Sequence, residues 1–317
     1  MNQTPTILLS AAGGMPSKGV IDTLSDAGAN IVTVDINPYS YGLIYVDDSY
    51  VVPGGDDSEF VDELLAIVRR EDVDALLISP ESEALAVSLE RERFEAEGCI
   101  PLIPPHNIVQ RCADKLEAQN YVADLNIPSP ELYRNRDDAD FPCVVKPRYG
   151  RGGAGVHIAY DQEELAVYAS NIENPIFQEY VSGTEYTVDV LTGRDGTVLS
   201  VVPRERIGIE SGKSVTGKTV VNEMLRKFSH QIASNWKLIG PSCIQFIRDG
   251  EELLFLEVNT RFGGGAVLSM QADSQLVPNL FKMIQQAPTE PSDTYDAGLV
   301  MLRNYDQLFV DQSTLDE

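Results

Sequence analysis

Between Phe141 and Tyr160 the chain reads FPCVVKPRYGRGGAGVHIAY. An apolar run delivers Lys146, and Gly150, Gly152, Gly153 and Gly155 follow, interleaved with Arg148 and Arg151. Glycines let backbone N–H groups wrap an anion while the cations supply charge, so the stretch reads as a phosphate loop; a glycine-rich hairpin is the plainer alternative. Downstream, IFQEYVSGTEYTVDV places Glu179, Tyr180 and Val181 at a strand end, where backbone groups could pair with an adenine, and Glu185 within reach of ribose hydroxyls. A third stretch, LFLEVNTRFGGG, sets Glu257 and Asn259 two residues apart, on one face of a strand, with Arg261 just beyond. With Gln245 from the preceding CIQF strand, these oxygen donors suit a hard cation such as Mg²⁺ held against phosphates. Polar groups in apolar strands destabilise a fold unless they are paired or used.

The metal reading constrains a hairpin. Asp249-Gly250 invites a two-residue turn, which would face Arg248 with Glu251 and point Gln245 away from Glu257. A shared ion needs both on one face. The expectation is therefore an odd-length loop, such as Asp249-Gly250-Glu251, or a bulge that shifts the register by one.

Elements that could position these groups follow from the pattern. Apolar runs at Thr6–Ser10, Ile31–Val34, Tyr50–Val52 and Ala75–Ser79 alternate with helical segments near 16–27, 58–70 and 81–97, which predicts a parallel sheet covered on both faces. The fingerprint GxGxxG is absent, so Asp35, at the end of the second strand, reads as a turn cap or as a weak dinucleotide contact. Pro101, Pro104 and Pro105 mark a connection to a helix at 107–125. Beyond it come strands at 143–146, 155–159, 176–180, 185–191, 198–203, 242–248 and 253–259, with helices at 162–170 and 219–236. The fold class is an α/β N-terminal domain with a Rossmann-like parallel sheet, followed by an α+β region with mostly antiparallel sheets.

Together these segments resemble the ATP-grasp superfamily, in its branch related to the large chain of carbamoyl phosphate synthase. The resemblance runs over nearly the whole chain. SAAGGMPSKGVIDTLSDAGANIVTVDINPYSYG is similar to the α/β domain preceding the ATP-grasp fold, and ADKLEAQNYVADLNIPSP to its Asp-Lys helix, with Asn126 in place of the usual glycine. The resemblance implies a pre-ATP-grasp domain over 1–105 and an ATP-grasp domain over 106–317, with a small lobe near 130–182 and a large lobe near 183–303. It implies that Lys115, Lys146, Arg151, Gly152 and Gly153 hold ATP phosphates. Glu179, Tyr180 and Val181 would hold adenine, and Glu185 the ribose. Gln245, Glu257 and Asn259 would hold one or two Mg²⁺ (or Mn²⁺) ions, and Arg261, with Lys146, would stabilise the transferring phosphoryl group. The implied activity is an ADP-forming ligase that activates a carboxylate for attack by an amine. Rival readings are carbamoyl-phosphate-type chemistry on bicarbonate or carbamate, a nucleotide-binding module without catalysis, and dinucleotide binding by the first sheet.

Composition bounds the rest. The 317 residues carry 49 acidic and 24 basic side chains, a formal charge of −25. Such a balance argues against a nucleic-acid binder, and no apolar run reaches the roughly 18 residues of a membrane span. With no signal-peptide pattern at the start, a cytoplasmic protein is expected, with a homodimer an admissible assembly. Lysine appears 8 times against 16 arginines, and acids are spread along the chain, as suits a solvated shell in high salt. Eight of the 24 basic residues (Lys146, Arg148, Arg151, Arg204, Arg206, Lys213, Lys218, Arg261) flank the motifs, an expected polyanion cluster. The four cysteines lack metal-site spacing and read as small buried residues. Substrate contacts are expected from loops near 13–17, 81–83 and 204–218.

Overall fold

A computed structural model describes residues 4–150, 153–210, 212–304 and 306–315. Five parallel strands come first: β1 (Thr6–Ser10), β2 (Asn30–Asp35), β3 (Ser49–Val51), β4 (Ala75–Leu77) and β5 (Ile100–Pro101), in the order β3-β2-β1-β4-β5. Their continuous apolar runs are buried on both faces, Leu9, Ile31 and Leu77 under the helices Ser17–Asp26 and Leu276–Ile284, and Leu8, Val34 and Leu76 under Phe60–Arg70 and Glu81–Leu89. The expected helix over 81–97 is two helices, Glu81–Leu89 and Arg91–Ala96.

A four-stranded antiparallel sheet follows, built from β6 (Leu132–Tyr133), β7 (Cys143–Pro147), β8 (His157–Ala159) and β9 (Pro175–Glu179) in the order β6-β9-β7-β8. The last sheet has six strands: β10 (Thr184–Thr192), β11 (Val198–Glu210), β12 (Lys213–Thr219), β13 (Gly240–Asp249), β14 (Glu252–Asn259) and β15 (Val300–Leu302), ordered β14-β13-β10-β11-β12-β15. Strand β12 and the long extension of β11 depart from the expected helix start at 219: the helix is Glu223–Trp236, capped by the Asn222 side chain.

Alternation along the central strands divides this sheet. Val188, Ile244, Phe246 and Phe255 pack with Trp236 and Leu225 in one apolar core. The opposite face carries Glu185, Thr187, Asp189, Arg204, Gln245 and Glu257, placed side by side by the pairings Thr187↔Arg204, Thr187↔Gln245 and Gln245↔Glu257. All four cysteines are buried and unpaired. Among the described residues no helix is long and apolar enough to cross a membrane.

Candidate active site

The candidate site draws on β7 and on the polar face of the six-stranded sheet. Lys146 is buried, and its Nζ donates to the Gln178 amide oxygen at 2.7 Å. Gln178 in turn donates to Gln119 Oε1 at 2.8 Å, and Gln119 to the Pro130 carbonyl. Burial pushes the Lys146 ammonium down to about 8, against the opposing pull of Glu257 and with the further push of Lys115.

Lys115 starts the helix Lys115–Ala123, its amide bonded to the Arg148 carbonyl at 3.1 Å and its Nζ to the Gly150 carbonyl at 2.6 Å. Asp114 fastens this arrangement. It caps the helix by accepting from Leu116 and Glu117, and it takes Arg148 Nε and Nη2 at 2.8 and 2.6 Å and the Tyr149 hydroxyl at 2.9 Å. Burial works against its charge, yet Arg148, the Glu117 amide and Tyr149 hold it below the usual carboxylate range. Asp114 also breaks the single helix expected over 107–125 into His106–Ala113 and Lys115–Ala123. Gly153 takes φ +74°, a left-handed value that an L side chain rarely adopts. The predicted phosphate contacts Arg151 and Gly152 lie outside the described residues.

At the expected adenine edge, Glu179 and Glu131 exchange backbone and side-chain bonds, the Glu131 amide donating to Glu179 Oε2 at 3.1 Å. Strand alternation turns the Glu179 side chain to the face opposite Gln178 and Lys146, so only its backbone can serve a base on the Lys146 side. Tyr180 and Val181 follow β9 and are half-buried. Glu185 Oε2 accepts from Arg206 Nη1 at 2.6 Å, and the same nitrogen reaches Gln245 Oε1 at 3.1 Å.

On the metal strands the hairpin turns through Gly250-Glu251 with Asp249 opposite Glu252, and a bulge at Leu256 then sets Gln245 opposite Glu257. The even register needed for a shared ion thus arises from the bulge rather than from an odd loop. Gln245 Nε2 and Asn259 Nδ2 donate to Glu257 Oε1 at 2.8 and 3.0 Å, and Arg261 Nη2 donates to Asn259 Oδ1 at 3.1 Å. One carboxylate and two amides converge, and rotating each amide would present three oxygens to a hard cation, a donor set that fits Mg²⁺ completed by phosphate oxygens. Among the described residues no cluster of three or more His, Cys, Asp or Glu could hold a metal without such help.

The polyanion cluster is smaller than its sequence count. Arg204 is fully buried against Asp189, with Nε–Oδ2 at 2.6 Å, and Ser269 donates to the same carboxylate. Arg148 belongs to Asp114 and Arg206 to Glu185. Arg204 and Arg206, being buried, require carboxylate partners in the absence of ligand. Gly263 and Gly265 lie where a Cβ would strike the Asp189–Arg204 pair, which explains the glycine run after Arg261. Asp35 is likewise engaged: its oxygens accept from the Gly13 amide (2.7 Å), the Asn37 amide (2.9 Å) and the Ser40 hydroxyl (3.1 Å), so it staples its own loop.

Gln178, Gln119 and Asp114 are not among the site residues the sequence singles out. A glutamine inside an apolar strand was the available signal for Gln178.

Residues 112–265 match the family model described as ATP-grasp domain, and residues 7–103 the model PylC-like, N-terminal domain. The carbamoyl-phosphate synthase of Methanobrevibacter smithii is 23% identical over 262 residues, covering 76% of this chain and 70% of that protein. The 3-methyl-D-ornithine–L-lysine ligase of Methanosarcina acetivorans is 26% identical over 277 residues, covering 85% and 72%. Against a carbamoyl phosphate synthase large chain from Clostridium acetobutylicum, the chain spans only 24% of the relative's length. In solved structures, the biotin carboxylase of Campylobacter jejuni superposes with a TM-score of 0.75 at 16% identity, over 94% of this chain and 74% of that one. The order of domains and the sheets agree with the two matches: the chain carries an ATP-grasp domain over 112–265 behind a PylC-like N-terminal domain over 7–103.

Proposed function

We propose that this chain is an ADP-forming ligase that uses ATP to activate a carboxylate for attack by an amine. The observation that carries the reading is the convergence of Gln245, Asn259 and Arg261 around Glu257 on one face of β13 and β14. A triphosphate bound there would meet hard oxygen donors, with the buried Lys146 ammonium as its proposed cationic partner. Lys115, Lys146, Arg151, Gly152 and Gly153 would bind the phosphates. The backbone of Glu179, Tyr180 and Val181 would take the adenine, and Glu185, released from Arg206, the ribose. Gln245, Glu257 and Asn259 would hold one or two Mg²⁺ ions, which supply neutralisation of phosphate charge. The ATP-grasp domain match over 112–265 and a relative named as a ligase support the reading. The same reading assigns 1–105 to the first domain, whose sheet ends at Pro101, and 106–317 to the ATP-grasp domain.

In the first step a carboxylate oxygen attacks the γ-phosphorus, and ADP departs with the electron pair of the broken P–O bond. Lys146 and Arg261 stabilise the spreading negative charge, chiefly by being already in place. In the second step the amine nitrogen adds to the acyl carbon, phosphate leaves, and the amine proton passes to the phosphate. Relatives named carbamoyl-phosphate synthase favour bicarbonate as an alternative acid.

An ADP-release screen with pooled acids and amines, bicarbonate tested separately, decides between them. Release should require Mg²⁺ and an acid, and Glu257→Gln should lose turnover far more than nucleotide affinity. No stimulation by any pool would leave a nucleotide-binding module without catalysis.

A further inference from the structure

Two guanidinium groups hold the run Gly263-Gly264-Gly265 that follows Arg261 and Phe262. The first is the buried Arg204: Gly263 and Gly265 are buried too, and a Cβ at either would strike the Asp189–Arg204 pair. The second is Arg303, whose Nη2 donates to the carbonyl of the half-buried Gly264 at 2.8 Å. Glycine loses more backbone freedom on ordering than any other residue, so three in a row keep one shape only where their surroundings impose it. Contact with Arg204 limits how closely the loop approaches the sheet. The Arg303 bond is directional and fixes where the Gly264 peptide points.

This tie reaches the reacting end of the site by a short path along the backbone. Arg261 Nη1 donates to the Phe262 carbonyl and Nη2 to Asn259 Oδ1, each at 3.1 Å. The Arg261 guanidinium is therefore braced on the same loop that Arg303 holds. Arg303 also grips β12: its Nη1 donates to the Ser214 carbonyl at 3.3 Å, and its own amide to the Val215 carbonyl at 2.9 Å. From its other neighbour, Ser214 Oγ accepts from Arg206 Nε at 3.4 Å, while Arg206 Nη1 reaches Glu185 and Gln245. One fork thus joins the Arg261 loop to the start of β12, and a second joins that strand to the residues proposed for ribose and metal. A planar guanidinium with N–H groups at fixed angles can span two carbonyls in this way, which a single ammonium cannot.

The ATP-grasp match ends at residue 265, and Arg303 follows β15, well beyond it. We infer that Arg303 is a positioning residue for phosphoryl transfer, fixing the Arg261 loop against β12, and that the C-terminal strand is thereby part of the working site. The inference rests on the ligase reading for the role of Arg261, and on the hydrogen bonds alone for the anchor.

The test compares turnover, nucleotide affinity and backbone mobility in the full chain. Arg303→Ala should slow acid-dependent ADP release by about 10²-fold, the scale of a displaced catalytic group, and leave Mg·ADP affinity within about twofold. Arg303→Lys should recover part of the turnover, because an ammonium can still hold one of the two carbonyls. Hydrogen exchange of the amides at 262–266 should quicken in Arg303→Ala by about tenfold or more, the worth of one hydrogen bond from a charged group, while β10 and β13 exchange as before. Thermal unfolding checks the fold of each variant, and the lysine variant keeps the account testable should the alanine variant fail to fold. Equal turnover in all three proteins overturns the inference. So does a loss of Mg·ADP affinity as large as the loss of turnover, which marks general damage. If the wild type releases no ADP with any acid, the ligase reading falls by itself: quickened exchange at 262–266 keeps the anchor, and unchanged exchange overturns it as well.

Discussion

Lys146 donates to Gln178 at 2.7 Å inside a buried chain of amides, so the cation expected at the phosphates is held by a neutral acceptor until an anion arrives. Burial pushes its ammonium down to about 8 from an ordinary lysine value of 10.5. The unfolded chain therefore binds more protons between those values, and this group's contribution makes stability rise with pH across the window. Replacing it with the isosteric Lys146→Met should stabilise the apoprotein at pH 7 and flatten the rise above pH 8. ATP should then lose most of its thermal shift. Urea melts at pH 7, 8, 9 and 10, with and without Mg·ATP, check all three; an unchanged ATP shift removes Lys146 from the phosphate site.

Asp114 ties the helix Lys115–Ala123 to the phosphate loop through Arg148. Asp114→Ala should cost about 0.5–2 kcal/mol as a lost cap and weaken ATP several-fold. Asp114→Asn should keep the cap and lose mainly the Arg148 tie. Isothermal titration of both variants separates the roles, and equal ATP affinity in all three proteins denies the tie any part in binding.

The Asp189–Arg204 pair predicts a large stability effect away from any bound nucleotide. Arg204→Met leaves the Asp189 carboxylate buried with Ser269 as its remaining partner, and the loss should be about 3–5 kcal/mol. The double variant Asp189→Asn, Arg204→Met should recover part of it. Denaturant melts give both numbers, and a single-variant loss below about 1 kcal/mol contradicts the buried pairing.

The formal charge of −25 predicts salt dependence. Raising KCl from 0.1 to 1 M shortens the Debye length from about 10 to 3 Å and should raise the apoprotein Tm by roughly 5 °C. Equal melting in both buffers dismisses the high-salt reading of the composition.

What was legible before the structure was whatever depends on local pattern. The β1–β4 runs stand out because both faces are buried, and Glu257 and Asn259 share a face because strand side chains alternate. The need for an even Gln245–Glu257 register could also be argued, but its source could not. Nothing in ELLFLEV marks Leu256 as the bulged residue, and the turn moved one position to Gly250-Glu251. Strand β12, KSVTGKT, has the polar, glycine-containing composition of a loop and is held as a strand by pairing with β11 and β15. Arg204 was grouped with the ligand-facing cations because its partner, Asp189, is joined to it only by sheet register. Pairings of that kind belong to tertiary structure.

The central claim is transfer of a phosphoryl group from ATP to a carboxylate beside Arg261 and Glu257. Supply the best acid of the screen with ¹⁸O in its carboxylate, add amine, Mg²⁺ and ATP, and analyse the phosphate released by mass spectrometry. The account predicts one ¹⁸O in each phosphate formed, with Arg261→Ala slowing its appearance by about 10²-fold or more. Phosphate free of ¹⁸O, formed at the same rate without the acid, contradicts it.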